Sequence, residues 1–469
     1  MKVLLLNPYD RNAVPLSLWP HLGLVLIASV LKTKGHEVVV VDYAYSPDAP
    51  PLSEWIATHK PDLFGITLYT SHMKFARQAV NEIRGASKAP IAVGGPHATL
   101  YADELAEEDF ADAIFRGECD HKFSETIAQI TPVSKSRIFV ADPPDLSTIP
   151  PPEFGLGYGS FKMTYYPIQL SRGCPYDCSF CSVKLISTRS VRYRDLRSCL
   201  DEIEHAAKRF KKLRSIRIVD DCPTGNLARF KAFLQGYSKI GIGLPLQIDN
   251  LRADRIDDEM LDSIKRIGVD HLCIGVESGN ERVFDMINKG ETMEDIVRAS
   301  RMIQRHGIRL YACFIVGLPG STTETEMDSI RLARSLKPNW IYWNLFQPHK
   351  GTRARDWFEA KGRIYEEEDR TSFIGPVLDT IDPPCDSPEF PADERKRMHL
   401  TASLMTGAYW LNPRYFLSYF SLIRKNRLWR AFFSGLSAGV RINLEMLRHK
   451  AGLYIKSRLP RLGTKHRCA

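Results

Sequence analysis

Short, wholly apolar runs alternating with amphipathic stretches constrain this 469-residue chain more than any other feature. Residues 3–7, 37–42, 63–67, 91–94 and 113–116 read as strands, with helical patterns such as 23–34 and 71–84 between them. Strands that are continuously apolar are covered by helices on both faces, which predicts a doubly wound, Rossmann-like α/β domain over 1–135. Ligands of such sheets bind beyond the carboxyl ends of the strands. The loops there carry Asn7, then Thr67, Thr70 and Ser71, then Gly94, Gly95, His97 and Thr99, then Gly117 and Glu118. They offer small residues, hydroxyls and backbone amides.

Prolines between 142 and 152 disfavour regular structure, so 136–160 reads as a linker. A second alternation follows, with strands expected at 167–171, 215–220, 244–249, 271–277, 309–316 and 341–346, and helices such as 195–210 and 257–267. Six β/α units are too few to close an eight-stranded barrel. They predict a partial, TIM-like (β/α)6 barrel over 161–384, with its chemistry at the strand carboxyl ends. A helical, basic region is expected from 385 to 469.

The first strand of that barrel leads into Cys174-Pro-Tyr-Asp-Cys178-Ser-Phe-Cys181, a C-x3-C-x2-C spacing. Three thiolates can hold three irons of a four-iron cluster and leave the fourth open, whereas electron-transfer clusters normally have four cysteines. An open iron points to a cluster that binds something. Zinc is the plain alternative, but it wants four ligands, usually in two pairs. Cys199 and His205, 18 and 24 residues on from Cys181, do not form a second pair. Three unrelated buried thiols are the other alternative.

The ten cysteines do not form a disulfide framework, and Met1-Lys2 runs straight into an apolar strand rather than a secretory signal. A reducing cytoplasm is therefore expected. The longest apolar runs, such as 22–31, are too short to span a bilayer. The net charge of +9 is concentrated at one end. Residues 411–469 hold 13 Lys/Arg against Glu445 alone, so +12 sits there and −3 on the preceding 410 residues. The tail mixes Trp410, Tyr415, Phe416, Tyr419, Phe420, Trp429, Phe432 and Phe433 with Arg424, Lys425, Arg427 and Arg430. A cap packed on the barrel, an interfacial membrane helix and a nucleic-acid surface are all compatible with that pattern.

The cysteine triad, with Phe180 before its last member, resembles the signature of the radical S-adenosylmethionine (SAM) superfamily. Asp220-Asp221 with Asn226, Arg252-Ala-Asp254, Gly275-Val-Glu277-Ser-Gly279, Asn288-Lys-Gly290 and Val316-Gly-Leu-Pro-Gly320 extend the resemblance along the barrel. Pro20-x2-Gly23-Leu24, Gly94-Gly-Pro-His-Ala-Thr99 and Gly117-Glu118 are similar to the branch with an N-terminal cobalamin-binding domain. The resemblance covers residues 1 to about 355, with a weaker echo at 412–415.

It implies three cofactors: a 4Fe-4S cluster on Cys174, Cys178 and Cys181, SAM chelated to the open iron, and cobalamin held by the ten loop residues named above. It further implies a 5′-deoxyadenosyl radical that takes a hydrogen atom from an unactivated carbon, to which methylcobalamin commonly gives a methyl group. Phe180 would lie against the adenine end of SAM. Asp220 or Asp221 would accept from its amino group, Arg252 would hold its carboxylate, and Glu277 its ribose or amino group. Gly317 would allow close backbone approach. Ordinary structural roles for these residues are the alternative: turn caps for the aspartates, a surface ion pair for Arg252.

No Asp-x-His-x-x-Gly follows the first strand, where the loop reads Asn7-Pro-Tyr-Asp-Arg-Asn12, so a histidine cobalt ligand of that type is absent. Cys119 stands where a second glycine is common, and Lys350 where proline is common. Oxidative ring closure, which the branch also contains, is the enzymatic alternative to C-methylation. A cobalamin- or nucleotide-binding sensor with a zinc site is the non-enzymatic one. The expected partners are an electron donor such as flavodoxin or ferredoxin, a small-molecule or lipid-like substrate, and through the tail the inner membrane face. Nucleic acid is disfavoured as a partner. A tRNA methylthiotransferase is disfavoured as well, because that related family expects three further N-terminal cysteines and Cys119 is the only one before Cys174.

Overall fold

The structure is a computed structural model that describes residues 1–12, 16–365 and 382–407, and in the tail 429–430, 432–436, 439–440, 442 and 444. Six strands form the first sheet: β1 (Lys2–Asn7), β2 (Glu37–Asp42), β3 (Leu63–Thr67), β4 (Ile91–Gly94), β5 (Ala113–Arg116) and β6 (Arg137–Val140). All pairings are parallel, in the order β2-β1-β3-β4-β5-β6. The chain thus winds outward in both directions from the β1/β3 junction, where doubly wound sheets bind their ligands.

β6 lies in the stretch read as linker from sequence. Its Arg-Ile-Phe-Val is exposed at both ends, so it lacks the buried apolar run that marks the other five. The proline-rich stretch after it has no regular structure but is anchored by two buried side chains. Leu146 and Ile149 bury against Leu26 of the helix Leu22–Thr33, and Lys32 pairs with Glu153 at 2.7 Å.

The second half contributes β7 (Tyr165–Ile168), a short ribbon of β8 (Ser171–Arg172) and β9 (Arg192–Tyr193), then β10 (Ser215–Ile218), β11 (Leu246–Ile248), β12 (His271–Glu277), β13 (Arg309–Val316) and β14 (Trp340–Leu345). β7, β10 and β11 make one parallel sheet, and β12, β13 and β14 another. A parallel bridge from Leu251 to Ile274 joins them, so six strands curve into an open barrel. β12 and β13 alternate strictly between buried and half-buried residues. The buried set faces the helices. The half-buried set, which includes Cys273, Glu277, Tyr311 and Cys313, faces the lumen.

One sheet face of the first domain shares its core with the barrel: Val3, Leu5 and Phe115 belong to the same cluster as Tyr166, Ile216, Leu272 and Phe314. Leu4, Leu6, Phe64 and Ile66 bury on the other face, under the helices Leu52–His59 and Met73–Ala86. The helix Ala392–Thr406 docks on β14, where Trp343 Nε1 donates to Thr406 Oγ1 at 2.9 Å. No helix among the described residues is long and apolar enough to cross a membrane. Of the tail residues singled out in the sequence, Trp429, Arg430, Phe432 and Phe433 are described and helical. Trp410, Tyr415, Phe416, Tyr419, Phe420, Arg424, Lys425 and Arg427 lie outside the described residues.

Candidate functional site

The carboxyl ends of β1, β3, β4 and β5 open into a cavity of about 630 Å³. Asn7, Thr67, Ser71, Gly94, Gly95, Thr99, Gly117 and Glu118 line it. Thr70 and His97 pair with each other instead, Oγ1 to Nδ1 at 3.0 Å, and the His97 ring stacks on Tyr101. Gly95 has φ +97°, and a Cβ there would stand 2.7 Å from Thr67 Oγ1, so glycine is required. Thr99 Oγ1 ties neighbouring loops together by donating to Gly95 O and accepting from Gly117 N.

Asp42 at the end of β2 was not foreseen, although it organises this edge. It accepts from Asn7 Nδ2 at 2.8 Å and from the backbone N–H of His21, and burial pushes its carboxyl up to about 6. His21 Nδ1 accepts from Leu24 N, so the neutral ring carries its proton on Nε2 and donates to Tyr69 Oη at 2.9 Å. Burial holds His21 at about 4, so the ring stays neutral near pH 7. Tyr69 also lines the cavity.

The other wall belongs to the barrel: Gln169, Arg172, Ile186 and Val219. Arg172, in β8 and two residues before Cys174, reaches into the first domain. Its Nη1 donates to Asp120 at 2.6 Å and Glu118 at 2.9 Å, and its Nη2 donates to Asp120 at 2.9 Å. Arg192 of β9 grips Glu118 as well. All four side chains are largely buried. Both stems of the cysteine-bearing loop are thereby fastened to the loop that follows β5.

Inside that loop Cys174, Cys178 and Cys181 are half-buried and free. Burial pushes Cys178 up to about 12 and raises Cys181, while a hydrogen bond from Cys222 pulls Cys174 down to about 7. Cys222 was one of the scattered cysteines of the sequence; the fold brings it, buried, against the triad. A lone zinc ion would draw its ligands to one point. In a cluster each cysteine takes a separate iron.

Around the triad, Phe180 packs on the edge of the shared core. Asp220 is buried with both oxygens engaged, accepting from Leu170 N at 2.7 Å and Ser171 Oγ at 2.5 Å. Asp221 accepts from Gly173 N at 2.9 Å. Asp221 and Glu277 both lie close enough to Cys181 to raise its pKa further. Glu277 ends β12 with φ +65° and pairs with Lys289 at 3.1 Å; Lys289 in turn holds Glu291 at 3.0 Å. Arg252 lies 3.4 Å from the Tyr176 ring centroid and spends its donors on Asp254, Lys289 O and Gly290 O. It thus clamps the cysteine loop to the 288–290 turn.

Gly317 (φ +85°) gives its N–H to Glu326 and its carbonyl to Arg395, and a Cβ there would meet Arg395 Nη1 at 2.7 Å. The close approach that demands glycine is therefore made by Arg395. In the sequence, neither Glu326 nor Arg395 stood out from ordinary surface charges on helices.

A radical SAM superfamily model matches residues 168–333, and a B12-binding domain model matches residues 10–127. The chain belongs to the radical SAM superfamily. It falls in the branch that carries an N-terminal B12-binding domain. It is 29% identical over 412 residues to the anaerobic magnesium-protoporphyrin IX monomethyl ester cyclase of Rubrivivax gelatinosus, which is 81% of this chain and 73% of that one. An uncharacterised methyltransferase of Pyrococcus horikoshii is 23% identical over 440 residues, 88% of this chain and 93% of that one. Among solved structures, the cobalamin-dependent radical enzyme OxsB with aqua-cobalamin and SAM bound superposes with a TM-score of 0.63 at 16% identity. That match covers 96% of this chain and 75% of the other.

The cofactors of this radical SAM branch are a 4Fe-4S cluster, SAM and cobalamin, and the residues present fit them. Three thiols on one loop suit the cluster. Two carboxylates beside them suit the ammonium and sulfonium charges of SAM. The cavity suits cobalamin in its lining, which joins the polar groups and glycines of the strand-end loops to the apolar Leu5, Gly65 and Ala92 of the sheet.

Proposed function

We propose that this chain is a cobalamin-dependent radical SAM C-methyltransferase acting on a small-molecule or lipid-like substrate. The observation that carries the reading is that one cavity has two owners. The loops of the B12-binding domain form one wall, and Gln169, Arg172, Ile186 and Val219 around the cysteine loop form the other. When bound, SAM supplies a radical able to take a hydrogen atom from an unactivated carbon, and cobalamin supplies the methyl group.

The chain itself positions and shields. Cys174, Cys178 and Cys181 hold the cluster. Asp221 and Glu277 place negative charge beside it. Glu326 and Arg395 fix the strand end at Gly317, and Asn7, Tyr69 and the Gly94-Gly95 turn shape the cobalamin cavity. A low-potential donor of the flavodoxin or ferredoxin kind supplies the electron.

Anaerobic reconstitution with SAM, hydroxocobalamin and a reductant should yield 5′-deoxyadenosine from reductive cleavage of SAM, and S-adenosylhomocysteine from methylation of the reduced cobalamin by a second SAM. Absence of 5′-deoxyadenosine would overturn the reading. Similarity to the Rubrivivax cyclase keeps a second outcome in view. Oxidative ring closure would give 5′-deoxyadenosine without S-adenosylhomocysteine.

A further inference from the structure

We infer that the tail helix docks the enzyme on an anionic lipid bilayer. The described residues between 429 and 444 are helical, and they are apolar on two opposite faces. Phe432 (8% exposed) and Ile442 (1%) bury on one face. Gly435 approaches Leu404 of the helix Ala392–Thr406 so closely that a Cβ would meet its carbonyl oxygen. The other face is left outward. Phe433 is 63% exposed, Leu436 40%, Val440 44% and Leu444 47%. Their spacing of three, four and four residues is the helical repeat of a single face.

Packing against the protein therefore accounts for one face only. Four large aliphatic or aromatic side chains in a row are more than scattered surface apolarity, and they mark a contact surface. Charge identifies what covers it. The stripe sits in the segment that holds 13 Lys/Arg against one acidic residue, with Arg424, Lys425, Arg427 and Arg430 before it and Arg448 and Lys450 after it. An apolar stripe within a strongly cationic segment matches the boundary of an anionic membrane, where acyl chains take the side chains and headgroups take the cations. A nucleic acid would use the cations and leave the stripe wet. A second copy of the chain would bring like charge against like charge.

The test is vesicle flotation of the full-length chain under anaerobic conditions. Vesicles of phosphatidylglycerol and phosphatidylcholine are compared with phosphatidylcholine alone. Wild type should float with the anionic vesicles at least tenfold more than with the neutral ones, and less as salt rises. Phe433→Ser with Leu436→Ser should reduce flotation at least tenfold while circular dichroism and the cluster absorbance stay unchanged. Arg427→Gln with Arg430→Gln should weaken the preference for anionic vesicles and leave a residual apolar component. No flotation of wild type, or flotation untouched by the serine pair, overturns the inference. So does a dimer that the serine pair dissociates while vesicles stay unbound.

Discussion

Glu326 shows how much a single buried carboxylate is asked to do. It is 3% exposed, accepts the Gly317 N–H at 2.9 Å, and burial pushes its pKa up to about 7. A raised carboxyl pKa means that the fold prefers the neutral acid. Its contribution to stability is complete below the ordinary carboxylate range and is lost as pH rises through about 7. Glu326→Gln keeps an oxygen acceptor and cannot ionise. Between pH 5 and pH 8 wild type should lose up to ~3 kcal/mol that the variant does not, as read by denaturant unfolding at the two pH values. The glycines are just as demanding. Gly95→Ala at φ +97° should cost about 1–3 kcal/mol and weaken hydroxocobalamin binding, measured by absorbance titration.

At the level of elements, the β8–β9 ribbon and the loop after β5 form the junction between the two cofactor sites. Removing one partner of a buried ion pair typically costs ~3–5 kcal/mol; because Glu118 still faces Arg172, Asp120→Asn should cost about 2 kcal/mol. The loss should appear in unfolding as a separated transition of the first domain, whereas Glu104→Gln, which breaks the exposed pair with Lys350, should leave a single transition. These elements also mark the limit of what the sequence discloses. The strands β1 to β5 and β12 to β14 were legible because their apolar runs are strong. The three cysteines stood out because their signal is a spacing along the chain and needs no partner from elsewhere in the fold. β6 was hidden by its exposed ends. Arg172, Asp120, Asp42 and Arg395 were hidden because a buried charge looks like a surface one until its partner, tens of residues away, is in place. Arg252 pairs with Asp254, an ion pair the sequence allowed, but the carbonyls of Lys289 and Gly290 that take its other donors could not be read there.

Across the whole molecule, one continuous core joins the B12-binding domain to the barrel, so ligand energy gained in the first domain is felt by both. Hydroxocobalamin at a hundredfold excess over its Kd should add ~2.7 kcal/mol to the stability of the folded state. A rise in the melting temperature of the barrel, followed by near-ultraviolet circular dichroism, is the measurement that checks it. The lumen offers a last consequence. Cys273 and Cys313 sit 3.3 Å apart, sulfur to sulfur, on its inner wall, half-buried and outside the triad. With a cluster bound at the triad, the half-buried Cys273 would make the barrel interior addressable by an alkylating reagent, while the hydrogen bond to Cys273 and burial keep Cys313 a protonated thiol. A molecule that fills the lumen will slow that labelling whether or not it is ever turned over, so a library of compounds can be screened for substrates before any product is known.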